Sequence, residues 1–249
     1  MTVKEKIFFI LNLPILFFIS RIKNMPIYSM DLILPISKHK TVLSLLWKNP
    51  EARMPKWFRE LDFNLKGKKI FLDIGSNIGF FSAFFLKRGG EKAYLFEINP
   101  SINDLLRKAS LDYAGQINVC GYGLSETNSE KEFYSDTPFS LMSSLDAKRY
   151  ADKKNFKKRG IIKVYSLDAV ANSLLENEKI SLIKIDVEGL EDKVLIGAQE
   201  TLKKQYPPII FEANRTGDFE KCEKILKLIG YKFRQLDETN WLATHSKKG

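Results

Sequence analysis

The sequence predicts an α/β fold: a mostly parallel, Rossmann-like sheet with helices on both faces and an antiparallel C-terminal hairpin. Three observations carry this. Short apolar runs of strand length at 69–74, 93–97, 117–120, 181–186 and 208–212 alternate with helical runs at 79–87, 101–112 and 190–204, the rhythm of a parallel sheet covered on both sides. Four of those runs carry an acid at or near their end: Asp73, Glu97, Asp186 and Glu212. The chain closes with a helical run from Phe219 to Ile229 and two apolar segments, Gly230 to Phe233 and Trp241 to Ala243, which read as a hairpin at the sheet edge.

The first run and the turn after it are the most informative. Ile70 to Ile74 is a buried-strand pattern, Gly75-Ser76-Asn77-Ile78-Gly79 a tight turn, and Ile78 to Leu86 a helix. Strand, glycine turn and helix N-terminus make a nucleotide-sized pocket. The spacing is Asp-x-Gly-x-x-x-Gly, not the Gly-x-Gly-x-x-Gly of dinucleotide binders, so a nucleoside without phosphates fits better than a pyrophosphate. That points to S-adenosylmethionine. The second strand ends in Glu97, followed by Ile98-Asn99-Pro100 and a helix. A carboxylate there, about 20 residues beyond the glycine turn, is placed to take the ribose hydroxyls. The cofactor-binding candidates are therefore Asp73, Gly75, Ser76, Asn77, Gly79, Glu97 and Ile98. Read without a ligand, Asp73 and Glu97 are polar strand ends.

Between the third strand and the run at 181–186 the rhythm breaks. Residues 131–135 and 161–167 read as short strands, and Thr137 to Arg159 as a loop or lid. The lid and its surroundings are basic (Lys148, Arg149, Lys153, Lys154, Lys157, Lys158), within a chain of formal net charge +10. Such a run either attracts a polyanion or is a solvated surface.

With 249 residues, 44% hydrophobic and 28% charged, the chain can bury a sizeable core. It divides into an N-terminal extension, 1–66, and a domain over 67–249, with Trp47 to Leu61 as an entry element capping the domain. In the extension, Lys4 and Lys6 precede an apolar stretch from Ile7 to Ile19, interrupted by Asn12 and Pro14 and followed by Arg21 and Lys23. The stretch falls short of the ~20 residues that cross a bilayer and no small-residue cleavage site comes after it. Residues 1–24 are expected to lie on an anionic membrane surface or to pack on the domain or a partner. Cys120 and Cys222 have neither disulfide-framework nor zinc spacing, which sets a reducing cytoplasm as the expected compartment. His39 and His245, the two histidines, read as surface residues.

The second distinctive stretch, Lys184-Ile185-Asp186-Val187-Glu188-Gly189, ends a buried strand and turns into a helix. In a parallel sheet, ligands sit beyond the carboxyl ends of the strands, so Asp186, Glu188 and Glu212 should face the same crevice as Asp73 and Glu97. Alternatively Asp186 caps the next helix and Glu188 complements its positive end.

Taken with Phe96-Glu97-x-Asn99-Pro100, Gly123-Leu124-Ser125, Ser143-Ser144-Leu145, Val164-x-Ser166-Leu167-Asp168, Gly197-Ala198 and Phe211-Glu212, these segments resemble the FkbM family of S-adenosylmethionine-dependent methyltransferases over about residues 70 to 235. The resemblance implies a class I methyltransferase fold and O-methylation of a hydroxyl on a sugar or a polyketide-type product. Where the family usually has proline, this chain has Ile98, which is expected to loosen the turn.

Methyl transfer to an alcohol is an in-line displacement that needs aligned reactants and a proton acceptor. Asp186 is the candidate general base, Glu188 or Glu212 could hold the acceptor, and Lys184 pairs with one of the acids; a divalent cation held by several of them is the second mechanism. Ser143 and Ser144 are candidate substrate contacts. The acceptor expected is a hydroxyl of a sugar or glycan, including a lipid-linked cell-surface intermediate at the cytoplasmic face of a membrane. The rivals are an RNA methyltransferase, for which no RNA-binding motif is present, and a non-catalytic membrane-associated nucleoside-binding protein. The oligomeric state and the need for a metal are left open by the sequence.

Overall fold

The computed structural model describes residues 54–61, 69–136, 143–148, 150, 156–175 and 178–247. The leader 1–24 and the first part of the entry element lie outside the described residues. Among the described residues, no helix is long and apolar enough to cross a membrane.

Five parallel strands form the centre: β1 (Ile70–Ile74), β2 (Lys92–Phe96), β3 (Ile117–Val119), β8 (Ile180–Ile185) and β9 (Ile209–Glu212). The hairpin β10 (Lys232–Gln235) and β11 (Asn240–Thr244) adds antiparallel to β9, giving the order β10-β11-β9-β8-β1-β2-β3. β1, β8 and β9 are buried along their whole length, which is why their sequences run apolar without alternation.

Helices α1 (Lys56–Arg59), α2 (Phe80–Lys87) and α3 (Pro100–Ser110) share one apolar cluster, with Phe58, Phe71, Phe84, Phe85, Leu95 and Leu106 at its centre. α4 (Leu167–Leu175), α5 (Glu191–Ile196), α6 (Gln199–Gln205) and α7 (Asp218–Ile229) share the other, built on Leu72, Ile74, Ile183 and Phe211. Because successive strand residues alternate faces, Phe71 and Asp73 point to the first face, as do Leu182, Lys184 and Asp186, and Ile210 and Glu212. Every acid or base of the expected cluster on β1, β8 and β9 therefore projects to the side of α1 and α2.

Two elements differ from the sequence expectation. The run at 190–204 is two helices. A Cβ on Gly197 would lie 2.0 Å from the Ser125 carbonyl oxygen, so the chain bends there to let the loop pass. The Asp168 carboxylate then accepts hydrogen bonds from the amides of Glu200 (3.0 Å) and Thr201 (2.8 Å) and caps α6. The strand expected at 161–167 is β7 (Lys157–Tyr165), which takes in the end of the expected lid, and residues from Leu167 onward are α4. With β4 (Gly123–Leu124), β5 (Ser129–Ser135) and β6 (Ser143–Ser144), β7 forms a second sheet of order β4-β7-β5-β6. The basic character of that sheet is partly internal. Lys158 bonds Glu132, Lys131 bonds Glu126 at 3.4 Å, and Arg159 holds the carbonyls of Ser135 and Asp136.

Candidate functional site

The β1–α2 turn is fastened to its neighbours through its own amides. The N–H groups of Gly75 and Ser76 donate to the Phe96 carbonyl at 2.9 and 3.1 Å, and that of Gly79 to the Ser76 carbonyl at 2.8 Å. The amide of Asn77 donates to Glu97 Oε2 at 2.9 Å. A phosphate cradle needs such amides pointing outward, and these four point inward, in agreement with the expectation of a ligand without phosphates. Gly75, at φ +76°, is needed for a protein contact: a Cβ there would lie 1.8 Å from the Asp186 carbonyl oxygen, because β8 runs against the turn and the Asp186 amide donates to the Ile74 carbonyl at 2.9 Å. Gly79, at φ +72°, precedes the first residue of α2.

Glu97, one residue past β2, is buried. Besides Asn77, it accepts from the Asn99 amide through Oε1 at 2.8 Å, which leaves the carboxylate acceptor capacity for a ligand hydroxyl. Burial pushes its carboxyl up to about 7 against the opposing pull of the Asn99, Asn77 and Ile98 amides. Ile98 offers the carboxylate an N–H that a proline there would lack. Asn99 caps α3 through the Ser101 amide (3.1 Å) and Asn103 donates to the Glu97 carbonyl at 2.8 Å. Asn99 Nδ2 also donates to Ser143 Oγ at 3.4 Å, which brings β6 to this end of β2. Ser144, buried, accepts from the Asp146 amide at 3.0 Å and so has a role inside its own turn. Ser76 Oγ is buried with no hydrogen-bond partner among the described residues. A free hydroxyl beside a carboxylate with spare lone pairs fits a polar, uncharged ligand edge such as a nucleoside.

Asp73 is 0% exposed, accepts from Ser82 Oγ through Oδ2 at 2.6 Å, keeps a buried Oδ1 with no hydrogen-bond partner among the described residues, and stands opposite Lys184 in the β1–β8 register. Burial raises its carboxyl, with Lys184 and Ser82 opposing.

Lys184 is the hub of the second half of the site. Its Nζ donates to Asp186 Oδ2 at 2.8 Å and sits 4.4 Å from the centre of the Phe81 ring. Burial opposes its charge, but Asp186, Asp73 and Glu212 outweigh that and hold the ammonium above its ordinary range. Asp186, whose side chain is 32% exposed, is subject to the burial penalty yet ends below the usual carboxylate range, because Lys184 and a hydrogen bond from Glu212 favour its anion. Burial and the neighbouring Asp186 push the Glu212 carboxyl up, against the pull of Lys184, and Asn214 Nδ2 donates to its Oε2 at 2.7 Å. The helix-capping alternative for Asp186 does not hold. The amides of the turn, Val187 and Gly189, donate to Glu191 Oε1 at 3.0 and 3.1 Å. Glu188 adopts φ +59°, a conformation that costs a residue with a Cβ about 1–3 kcal/mol, and accepts from the Tyr150 hydroxyl.

The structure thus brings together Lys184, Asp186, Glu188 and Glu212 at the carboxyl ends of β8 and β9, and Glu97, Ser76, Asn77 and Ser143 at those of β1 and β2. Sequence reasoning misses Ser82, Phe81, Glu191 and Tyr150. A lone serine in the apolar helix start Phe80-Phe81-Ser82-Ala83 is a usable signal for a buried polar partner; Tyr150 gives none. Among the described residues, no group of three or more His, Cys, Asp or Glu is placed to hold a metal ion.

Comparison with known proteins agrees with this fold. The crystal structure of an FkbM methyltransferase from Methylobacillus flagellatus KT matches with TM-score 0.52 and 18% identity, over 94% of this chain and 59% of that one. A stretch of AMB antimetabolite synthetase AmbE from Pseudomonas aeruginosa is 27% identical over 184 residues, covering 60% of this chain and 8% of that protein. The chain therefore spans less than two thirds of either relative. The family model described as the methyltransferase FkbM domain matches residues 73–238, and the chain belongs to that family.

Proposed function

We propose that the protein transfers a methyl group from S-adenosyl-L-methionine to a hydroxyl of a sugar or glycan, with Asp186 as the proton acceptor. The observation that carries this is the bond of Lys184 to a partly exposed Asp186, beside Glu212, at the mouth of β8 and β9, next to a turn whose amides are closed to phosphate. Glu97 would hold the ribose hydroxyls, and Ser76 a polar edge of the nucleoside. The bound cofactor supplies a methyl group on a positively charged sulfur.

The chain's own residues do the rest. Lys184 and Glu212 orient the Asp186 carboxylate from one side, leaving the partly exposed side to accept the proton of the acceptor hydroxyl as that oxygen attacks. General-base assistance of this kind contributes about 10²–10⁴ in rate. Glu212 would share a proton with Asp186 until then, and Glu188, which accepts from Tyr150, would bind a second acceptor hydroxyl.

Incubation with methyl-labelled cofactor and either a lipid-linked glycan fraction or bulk RNA tests the acceptor class. Label in glycan is expected, and label in RNA alone would refute the reading. Asp186→Asn should keep affinity for S-adenosylhomocysteine within about threefold and lose about 10²-fold or more in turnover. Loss of binding with turnover per bound enzyme preserved would remove Asp186 from the role of base.

A further inference from the structure

We infer that Trp57 forms the aromatic wall against which the acceptor's sugar ring stacks, so that a helix ahead of the family-matched segment sets acceptor specificity. This rests on the proposed glycan acceptor and deepens it. The matched segment begins at residue 73, and Trp57 lies on α1, before it.

Two independent chains of contact tie Trp57 to the acid cluster. Its ring stacks on Phe81 at 6.1 Å with 24° between planes, and Phe81 is the ring that carries the Lys184 ammonium at 4.4 Å. In the other direction, Trp57 Nε1 donates to Asp237 Oδ2 at 2.5 Å. Asp237 Oδ1 accepts from the Asn240 amide at 2.8 Å, and Asn240 stands opposite Glu212 in the β11–β9 register. Trp57 is therefore held on the same face of the sheet as Lys184, Asp186 and Glu212, and level with the end of β9.

The indole is fixed as well as placed. Phe58, fully buried, meets it edge-on at 5.6 Å, and its single donor is spent on Asp237, so what it offers a ligand is a flat apolar surface. Trp57 is only partly buried although it packs against the core. A pyranose has an apolar C–H face and a polar rim. Stacking that face on a rigid ring while hydroxyls meet Asp186 and Glu188 is the division of labour expected of a pocket with apolar walls and few polar groups, and a fixed wall binds the ring at little entropic cost.

The test compares wild type, Trp57→Leu and Trp57→Phe in methyl transfer to the lipid-linked glycan fraction, with calorimetry of S-adenosylhomocysteine and thermal melting alongside. Trp57→Leu, which keeps apolar volume without a flat face, should raise the half-saturating acceptor concentration about 10-fold while maximal rate and S-adenosylhomocysteine affinity stay within about twofold. Trp57→Phe should restore most of the loss. Unchanged half-saturation in Trp57→Leu, or equal loss of cofactor-product affinity and rate, would overturn the inference and leave Trp57 a core residue. Should Trp57→Leu not fold, fluorine NMR of 5-fluorotryptophan-labelled wild type decides: the released glycan should shift the Trp57 resonance and not that of Trp241, and the reverse would refute it. Wild type that labels RNA and not glycan refutes the parent reading by a separate result.

Discussion

Lys184→Met removes the cation at the centre of a buried cluster of three acids while keeping most of the side-chain volume. Lys184 is 3% exposed, bonds Asp186 at 2.8 Å and faces Asp73 across β1. Breaking a buried ion pair by deleting one partner costs about 3–5 kcal/mol, and the lost ammonium–Phe81 contact adds about 1–2. At a urea slope of roughly 2–3 kcal/mol per molar, a loss of about 4–7 kcal/mol should lower the unfolding midpoint by about 1.3–3.5 M at pH 7. The variant should also acquire a pH dependence. Without the ammonium, Asp73 and Asp186 would both titrate above their ordinary value, so the folded state would keep protons that the unfolded chain has released. Stability then falls as pH rises above about 4, and acid should partly rescue the variant. Adding Asp73→Asn should recover part of the loss at pH 7. A midpoint within about 0.3 M of wild type, or a loss equal at pH 5 and pH 8, would refute the account of Lys184 as counter-charge.

Two further outcomes rest on the caps and buried acids. Burial holds the Glu191 carboxyl up to about 7, as it does that of Glu97, against an ordinary 4.5; each should therefore draw about 3 kcal/mol from stability between pH 4.5 and 7. Glu191→Gln, whose amide oxygen can still accept from Val187 and Gly189, should flatten that slope by its share in denaturation curves at pH 5 and 7.5, and an unaltered slope would reject the assignment. Asp168→Ala should uncap α6 at a cost of about 1–2 kcal/mol with S-adenosylhomocysteine affinity intact; a fall in affinity on calorimetry would mean Asp168 reaches the ligand.

What can be read from the chain divides along burial. β1, β8 and β9 are covered on both faces, so their apolar runs stand out and their terminal acids are conspicuous. β7 is exposed over much of its length, and Lys157-Lys158-Arg159 hides its start among charges that resemble a loop. Gly197 looks tolerable within a helix until the Ser125 carbonyl is seen beside it, a contact between residues far apart in the chain that no local pattern reveals. The acids of the site are visible as strand ends; that Asp73 turns inward to Ser82 and Lys184 while Asp186 stays partly exposed depends on how far each strand extends before its turn.

The inward-facing amides of residues 75–77 bear on selectivity among adenine compounds in a cell. ATP and the nicotinamide dinucleotides share adenosine with the proposed sulfonium donor, but their phosphates would find the amides of residues 75–77 already engaged and would confront Glu97 besides. The turn would thus discriminate against phosphorylated adenine compounds by withholding contacts, with no bulky side chain needed to exclude them.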